Sequence, residues 1–122
     1  EYCNEATVPN ADAYFPIAME DIPAQVKITP QTLLILVTRG SEVDVKGLPN
    51  LLKTSASYIG LIGSRKRWQH TRQKLIESGL SEDQINRVTC PIGLDIGAET
   101  PQEIAVSIIA EIIKFRAKKS VA

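Results

Sequence analysis

Apolar residues are unevenly placed along this 122-residue chain, and their spacing changes character at residue 33. Residues 1–32 hold four of the seven prolines, Pro9, Pro16, Pro23 and Pro30. Proline fixes φ and removes a backbone donor, so each one interrupts a helical or strand period. This part reads as an irregular connecting segment with a short helical turn near Glu20–Gln25. Next comes the apolar run Leu33-Leu34-Ile35-Leu36-Val37, closed by Thr38. It does not alternate, which predicts a strand buried on both faces, as in a parallel sheet. After Arg39-Gly40-Ser41 a helix is expected over 42–54, with a break at Gly47 or Pro49. Residues 57–62 read as a second strand. Gly63-Ser64 opens a basic helix over 65–78, and Gly79 stands where a left-handed C-terminal cap belongs. Ser81-Glu82-Asp83-Gln84 matches a capping box, and Arg87-Val88-Thr89-Cys90 a third short strand.

The last helix has the clearest start. Thr100 is its N-cap, Pro101 takes the first helical position, and Glu103 completes a capping box. Glu103, Ser107, Glu111, Lys114 and Lys118 recur at three or four residues and form one polar stripe. Ile104, Ala105, Ile108, Ile109, Ile112, Ile113 and Phe115 cover most of the rest, an apolar face wide enough to pack on a sheet. Strand, helix, strand, helix, short strand, helix predicts one α/β domain over 1–122, with its core in 33–118. Three α/β/α layers, a mainly parallel sheet and right-handed crossovers are expected.

Composition narrows the function classes. Lys+Arg and Asp+Glu are both 14, so the net charge is zero, which argues against a general nucleic-acid or membrane-surface binder. No apolar run nears the ~20 residues of a membrane span, and there is no signal-peptide pattern. Cys3 and Cys90 are far apart, and one His cannot complete a zinc-finger pattern. They read as two reduced thiols of a cytoplasmic protein. The chain starts at Glu1 rather than Met, as a cleavage product or a piece of a longer protein would.

Three segments carry candidate chemistry. In Tyr58-Ile59-Gly60-Leu61-Ile62-Gly63-Ser64-Arg65-Lys66-Arg67 a strand turns through glycine into a helix whose first turn holds three cations. Cations there oppose the helix dipole, and free N–H groups at a helix start attract anions, so a phosphate suits this place. The alternative is that Gly60 and Gly63 only permit a tight turn or close strand–helix contact. The second segment, residues 91–101, carries Gly93 and Gly97 with the acids Asp95 and Glu99. The acids either order a ligand or cap backbone amides. The third is Thr38-Arg39-Gly40, at the end of the first strand. Ligands of open α/β sheets bind outside the carboxyl ends of the strands, where all three segments fall if the strands are parallel. His70 reads as a solvated helix residue and Trp68 as a packing residue. No Ser-His-Asp order, Walker loop or G-x-G-x-x-G fingerprint is present.

Two blocks, residues 58–67 and 91–111, resemble the C-terminal domain of the xanthine dehydrogenase accessory protein family (XdhC/CoxI type). Val37-Thr38-Arg39-Gly40 with Asp44 is similar to the strand and helix start that precede them. The resemblance implies a Rossmann-like domain that assists molybdenum hydroxylases such as xanthine dehydrogenase, by binding molybdenum cofactor (molybdopterin) and aiding its sulfuration and insertion. By position, the pterin phosphate would sit near Gly63, Ser64 and Arg65, with Asp95 and Glu99 close by. The expected ligand set is Thr38, Arg39, Gly60, Gly63, Ser64, Arg65, Lys66, Gly93, Asp95, Gly97 and Glu99. The family's first β-α-β unit is expected to precede Glu1. Without it the run 33–38 is a bare apolar edge, which predicts a homodimer or strand-swapped assembly. No turnover of its own is expected of the chain. An NAD(P)-binding oxidoreductase domain and a ligand-free structural domain are the alternatives.

Overall fold

A computed structural model describes residues 2–121, with side chains through Lys118. Glu1 and Ala122, the two ends of the expected domain, lie outside the described residues. The elements run α1 (Ile22–Gln25), β1 (Leu33–Leu36), α2 (Ser41–Leu52), β2 (Tyr58–Leu61), α3 (Arg65–Glu77), α4 (Glu82–Ile85), β3 (Val88–Thr89) and α5 (Pro101–Val121). A short 3-10 turn at Met19–Asp21 precedes α1. Among the described residues the sheet has three strands in the order β1-β2-β3, all parallel.

Strand alternation sorts the side chains onto two faces. Ile59 and Leu61 join Leu36, Leu48, Leu51, Leu52 and Leu75 in one core, so α2 and α3 cover that face. Tyr58 points the other way, and its ring meets Phe115 of α5 at 5.1 Å between centroids. Helices therefore lie on both faces, which is the expected three-layer α/β order. Register sets Leu33 beside Tyr58 and Ile35 beside Gly60. These two residues of β1 share the α5 face. Trp68, as expected, packs against the core from α3.

Three expectations need correction. First, β1 is not buried on both faces. Ile35 is 36% exposed and Val37, just past the strand, 67%, because β1 is the sheet edge while α5 packs on Tyr58 of β2. Second, α2 does not break: Pro49 sits inside a continuous helix. Gly47 is needed there for contact, since a Cβ would overlap the Met19 side chain. Third, α5 lays only part of its apolar face toward the sheet: Ile104, Ile108, Ile112 and Phe115 are half-buried beside Ser107 and Glu111, while Val106, Ile109 and Ile113 stay exposed.

Caps behave as the sequence signals. Ser81 and Gln84 form a reciprocal capping box, and Gly79 takes φ +101°, as an αL cap requires. Glu103 accepts hydrogen bonds from the Glu99 and Thr100 N–H groups at 2.8 and 3.2 Å, while Thr100 Oγ1 accepts from the Glu103 N–H. Arg87 does what its place before a short strand does not announce. Its guanidinium donates to the carbonyls of Leu52, Thr54 and Ala56, closing the turn between α2 and β2.

Candidate functional site

The two glycine-bearing loops meet outside the carboxyl ends of the parallel strands and enclose a cavity of about 620 Å³. Ile62, Gly63 and Arg65 line it from the turn into α3, residues 91–98 from the loop after β3, and Ile104 and Ser107 from α5. The size falls in the range of small-molecule pockets, ~300–1,000 Å³. Local chemistry explains the wall. Gly63 at φ +142°, Gly93 at +107° and Gly97 at +72° occupy backbone regions that suit glycine. Gly93 is also held close to α5, because a Cβ there would overlap Ser107 Oγ.

The loop is fixed to α5 by polar contacts. Ser107 Oγ donates to the Leu94 carbonyl at 2.6 Å, and the Leu94 N–H donates back to the Ser107 carbonyl at 3.1 Å. The Glu111 carboxylate accepts from the Gly93 N–H at 3.0 Å and from the Tyr58 hydroxyl. Burial and the Glu111 carboxylate push the Tyr58 phenol well above its ordinary value, so it stays a neutral donor. In the sequence Glu111 stands only as one member of the polar stripe of α5. Its signal was the i, i+4 pairing with Ser107, which the helix turns toward one loop.

A second network underlies the basic turn. Asp44 is fully buried at the start of α2. It accepts from Arg67 Nη2 at 2.8 Å and from the Thr38 hydroxyl at 2.5 Å. Arg67 also reaches the Thr38 hydroxyl at 2.7 Å and the Thr38 carbonyl at 3.3 Å. β1, α2 and α3 are thereby tied together beneath the sheet edge. Arg67 Nε is buried, has no hydrogen-bond partner among the described residues, and lies beside Gly63. Cys90 is half-buried near this pair. Burial, and then the Asp44 charge, push its thiol up to about 11, against the pull of Arg67.

Of the expected ligand residues, Gly63, Arg65, Gly93, Asp95 and Gly97 line the cavity. Ser64 stands beside it as the N-cap of α3, its Oγ accepting from the Arg67 N–H at 3.1 Å. Arg65 and Lys66 are exposed in the first helical turn. The others sit elsewhere. Gly60 lies within β2, where a Cβ would overlap Ile92. Thr38 is engaged by Asp44 and Arg67, Arg39 stacks 5.0 Å over the Tyr2 ring, and the Glu99 N–H serves the α5 cap. Of the three cations that opposed the α3 dipole, Arg67 is accounted for by Asp44, which leaves Arg65 and Lys66 unexplained by the fold. Among the described residues, no group of three His, Cys, Asp or Glu is placed to hold a metal ion, and no helix is long and apolar enough to cross a membrane.

A parallel sheet with helices on both faces and a cavity at its carboxyl edge defines a Rossmann-like α/β domain. Comparison with known proteins sharpens that class. The XdhC Rossmann domain family matches residues 1–112, and the chain belongs to this family. It is 37% identical over 89 residues to the uncharacterized protein YqeB of Escherichia coli, covering 73% of this chain and 16% of that one. It is 32% identical over 120 residues to a probable xanthine dehydrogenase subunit of Bacillus subtilis, covering 98% of this chain and 34% of that protein. The molybdenum cofactor insertion chaperone PaoD of Escherichia coli is 26% identical over 93 residues, 76% of this chain and 29% of PaoD. A crystal structure of a xanthine dehydrogenase from Bacillus halodurans superposes with a TM-score of 0.76 at 29% identity, over 95% of this chain and 32% of that one. The chain thus spans about a third or less of the length of these relatives.

Proposed function

We propose that this domain serves molybdenum hydroxylases of the xanthine dehydrogenase type as an accessory module, holding molybdenum cofactor as cargo while it is sulfurated and inserted. The carrying observation is the cavity itself, which opens beside the N-terminus of α3 where Gly63, Arg65 and the Gly93–Gly97 loop converge. The pterin phosphate would take the N–H groups of the first turn of α3, with Arg65 and Lys66 supplying charge. The apolar lining of Ile62, Ile92 and Ile104 suits a flat heterocycle. The relative named as a cofactor insertion chaperone supports the same reading.

In this role the residues bind and orient, and none needs to exchange a proton with the cargo. Glu111 and Ser107 keep the wall in place from behind. Titration of the purified protein with isolated molybdenum cofactor tests the reading. Binding is expected, and Arg65→Ala with Lys66→Ala is expected to weaken it at least about tenfold, as loss of charge-assisted contacts implies. Tight binding that survives both substitutions would overturn the anion site. Saturable oxidation of NADPH in the same protein would replace the accessory role with an oxidoreductase.

A further inference from the structure

The cavity carries two charged side chains, each on a different wall. Arg65 stands on the turn into α3, and Asp95 on the loop after β3. Ser107 is the third polar side chain of the lining, and its hydroxyl is taken up by the Leu94 carbonyl at 2.6 Å. The remaining side chains are apolar, with glycines between them. Arg65 suits the anion of the proposed cargo. Asp95 does not, because a carboxylate beside an anion site opposes it.

The loop does not use Asp95 to hold its own shape. An acid in a glycine-bearing loop commonly caps backbone N–H groups. Here the Gly93 N–H goes to Glu111, the Leu94 N–H to the Ser107 carbonyl, and the Glu99 and Thr100 N–H groups to Glu103. Among the described residues, no backbone N–H and no cation is paired with the Asp95 carboxylate. Positive φ at Gly93 and Gly97 turns the chain on both sides of Asp95 and leaves it exposed at the cavity. Glu99, the other acid of this loop, is outside the lining.

We propose that Asp95 is a specificity-determining residue, whose carboxylate accepts two parallel hydrogen bonds from the ring of the cargo. The donors are an exocyclic amino group and the ring N–H beside it. A carboxylate only accepts, and its two oxygens match a pair of adjacent N–H groups. The 2-amino-4-oxo-pyrimidine ring of a pterin presents such an edge. In a phosphorylated pterin that edge and the phosphate are at opposite ends, as Asp95 and Arg65 are on different walls. A ring with an oxo group in place of the amino group turns an acceptor toward Asp95 and is rejected. This role rests on the proposed reading of the cavity as a cofactor site, and adds which edge of the ring the protein reads.

Equilibrium dialysis of the purified protein against two probes tests it. One is 6-hydroxymethylpterin phosphate; the other is its lumazine counterpart, with an oxo group replacing the 2-amino group. The wild type is expected to bind the pterin at least about tenfold more tightly, as two hydrogen bonds to a charged acceptor imply. Asp95→Asn should bring the two affinities within about threefold, because an amide offers one acceptor and one donor. Arg65→Ala should weaken both probes alike and keep the preference. If Asp95 only shaped the loop, Asp95→Asn would weaken both probes alike, and the proposal would be overturned. So would equal binding of the two probes by the wild type, or binding of neither. Intact molybdenum cofactor, titrated in parallel, separates the two readings. If it binds and the wild type does not discriminate between the probes, only the role of Asp95 falls. If neither cofactor nor probe binds, the cofactor site falls with it.

Discussion

On one face of the sheet, α2 and α3 bury Leu48, Leu51, Leu52 and Leu75 against Ile59 and Leu61. On the other, α5 is tethered to the loop after β3 by a hydroxyl and a carboxylate, and leaves Ile109 and Ile113 exposed. The two faces draw on similar side chains and use them differently. Burial is non-directional and holds the first face as a block. Hydrogen bonds are directional, so the second face holds one loop in one place. That loop is a wall of the cavity. The domain thus keeps stability and site geometry in different layers.

Core truncation gives the largest separation between the layers. Leu48→Ala, at a fully buried position, should cost about 2–5 kcal/mol, while Ile109→Ala should change monomer stability by less than about 0.5 kcal/mol. Urea unfolding under monomeric conditions measures both. Equal costs would mean that α5 is packed as deeply as α2, and the contrast would fail.

Next in size is Asp44, a charge fully buried on the packed side. Asp44→Ala strands Arg67, whose side chain is 23% exposed, and should cost about 3 kcal/mol, the low end for breaking a buried pair. Thermal unfolding reads it. A loss well under 1 kcal/mol would mean that Arg67 finds solvent freely and does not tie α3 to β1.

How far the sequence carried follows the same division. The strands, the α3 and α5 starts and both capping boxes were legible, because they depend on local spacing and on side chains that reach three or four residues. The convergence of the two glycine loops was legible too, once the strands were taken as parallel. The Asp44–Arg67 pair was not, since 23 residues separate the partners and neither has a local signature. Arg87, whose acceptors lie 31–35 residues upstream, is the same case. The exposure of Ile109 and Ile113 on α5 was not legible for a different reason. A helical period shows that a helix has two faces, and does not say which one the rest of the chain will meet.

The tether itself gives a smaller effect with a spectroscopic signature. Glu111→Gln weakens an acceptor shared by Gly93 and Tyr58 and should cost about 1–2 kcal/mol. It should also lower the Tyr58 pKa, because the carboxylate raises it while burial remains. Ultraviolet titration of tyrosinate, with Tyr58→Phe to assign the signal, follows this. An unmoved Tyr58 titration would show that Glu111 does not hold the phenol, and that the cavity wall rests on Ser107 alone.

The smallest effect tests whether α5 also owes its start to polar contacts. The Glu103 carboxyl is held below its ordinary value by the N–H groups of Glu99 and then Thr100. A carboxyl whose pKa is lower in the folded state stabilises when ionised. Its contribution is fully present above the unfolded value near 4.5 and is lost as pH falls through the lower folded value. The difference in urea midpoint between the wild type and Glu103→Ala should therefore be constant from pH 7 to about 5 and shrink below that. Because Glu103 is fully exposed, salt should shrink it as well. A difference that stays the same down to pH 3 would assign the effect to helix propensity instead of the cap. The start of α5, and with it the Gly97–Thr100 approach to the cavity, would then be held by packing, as α2 and α3 are.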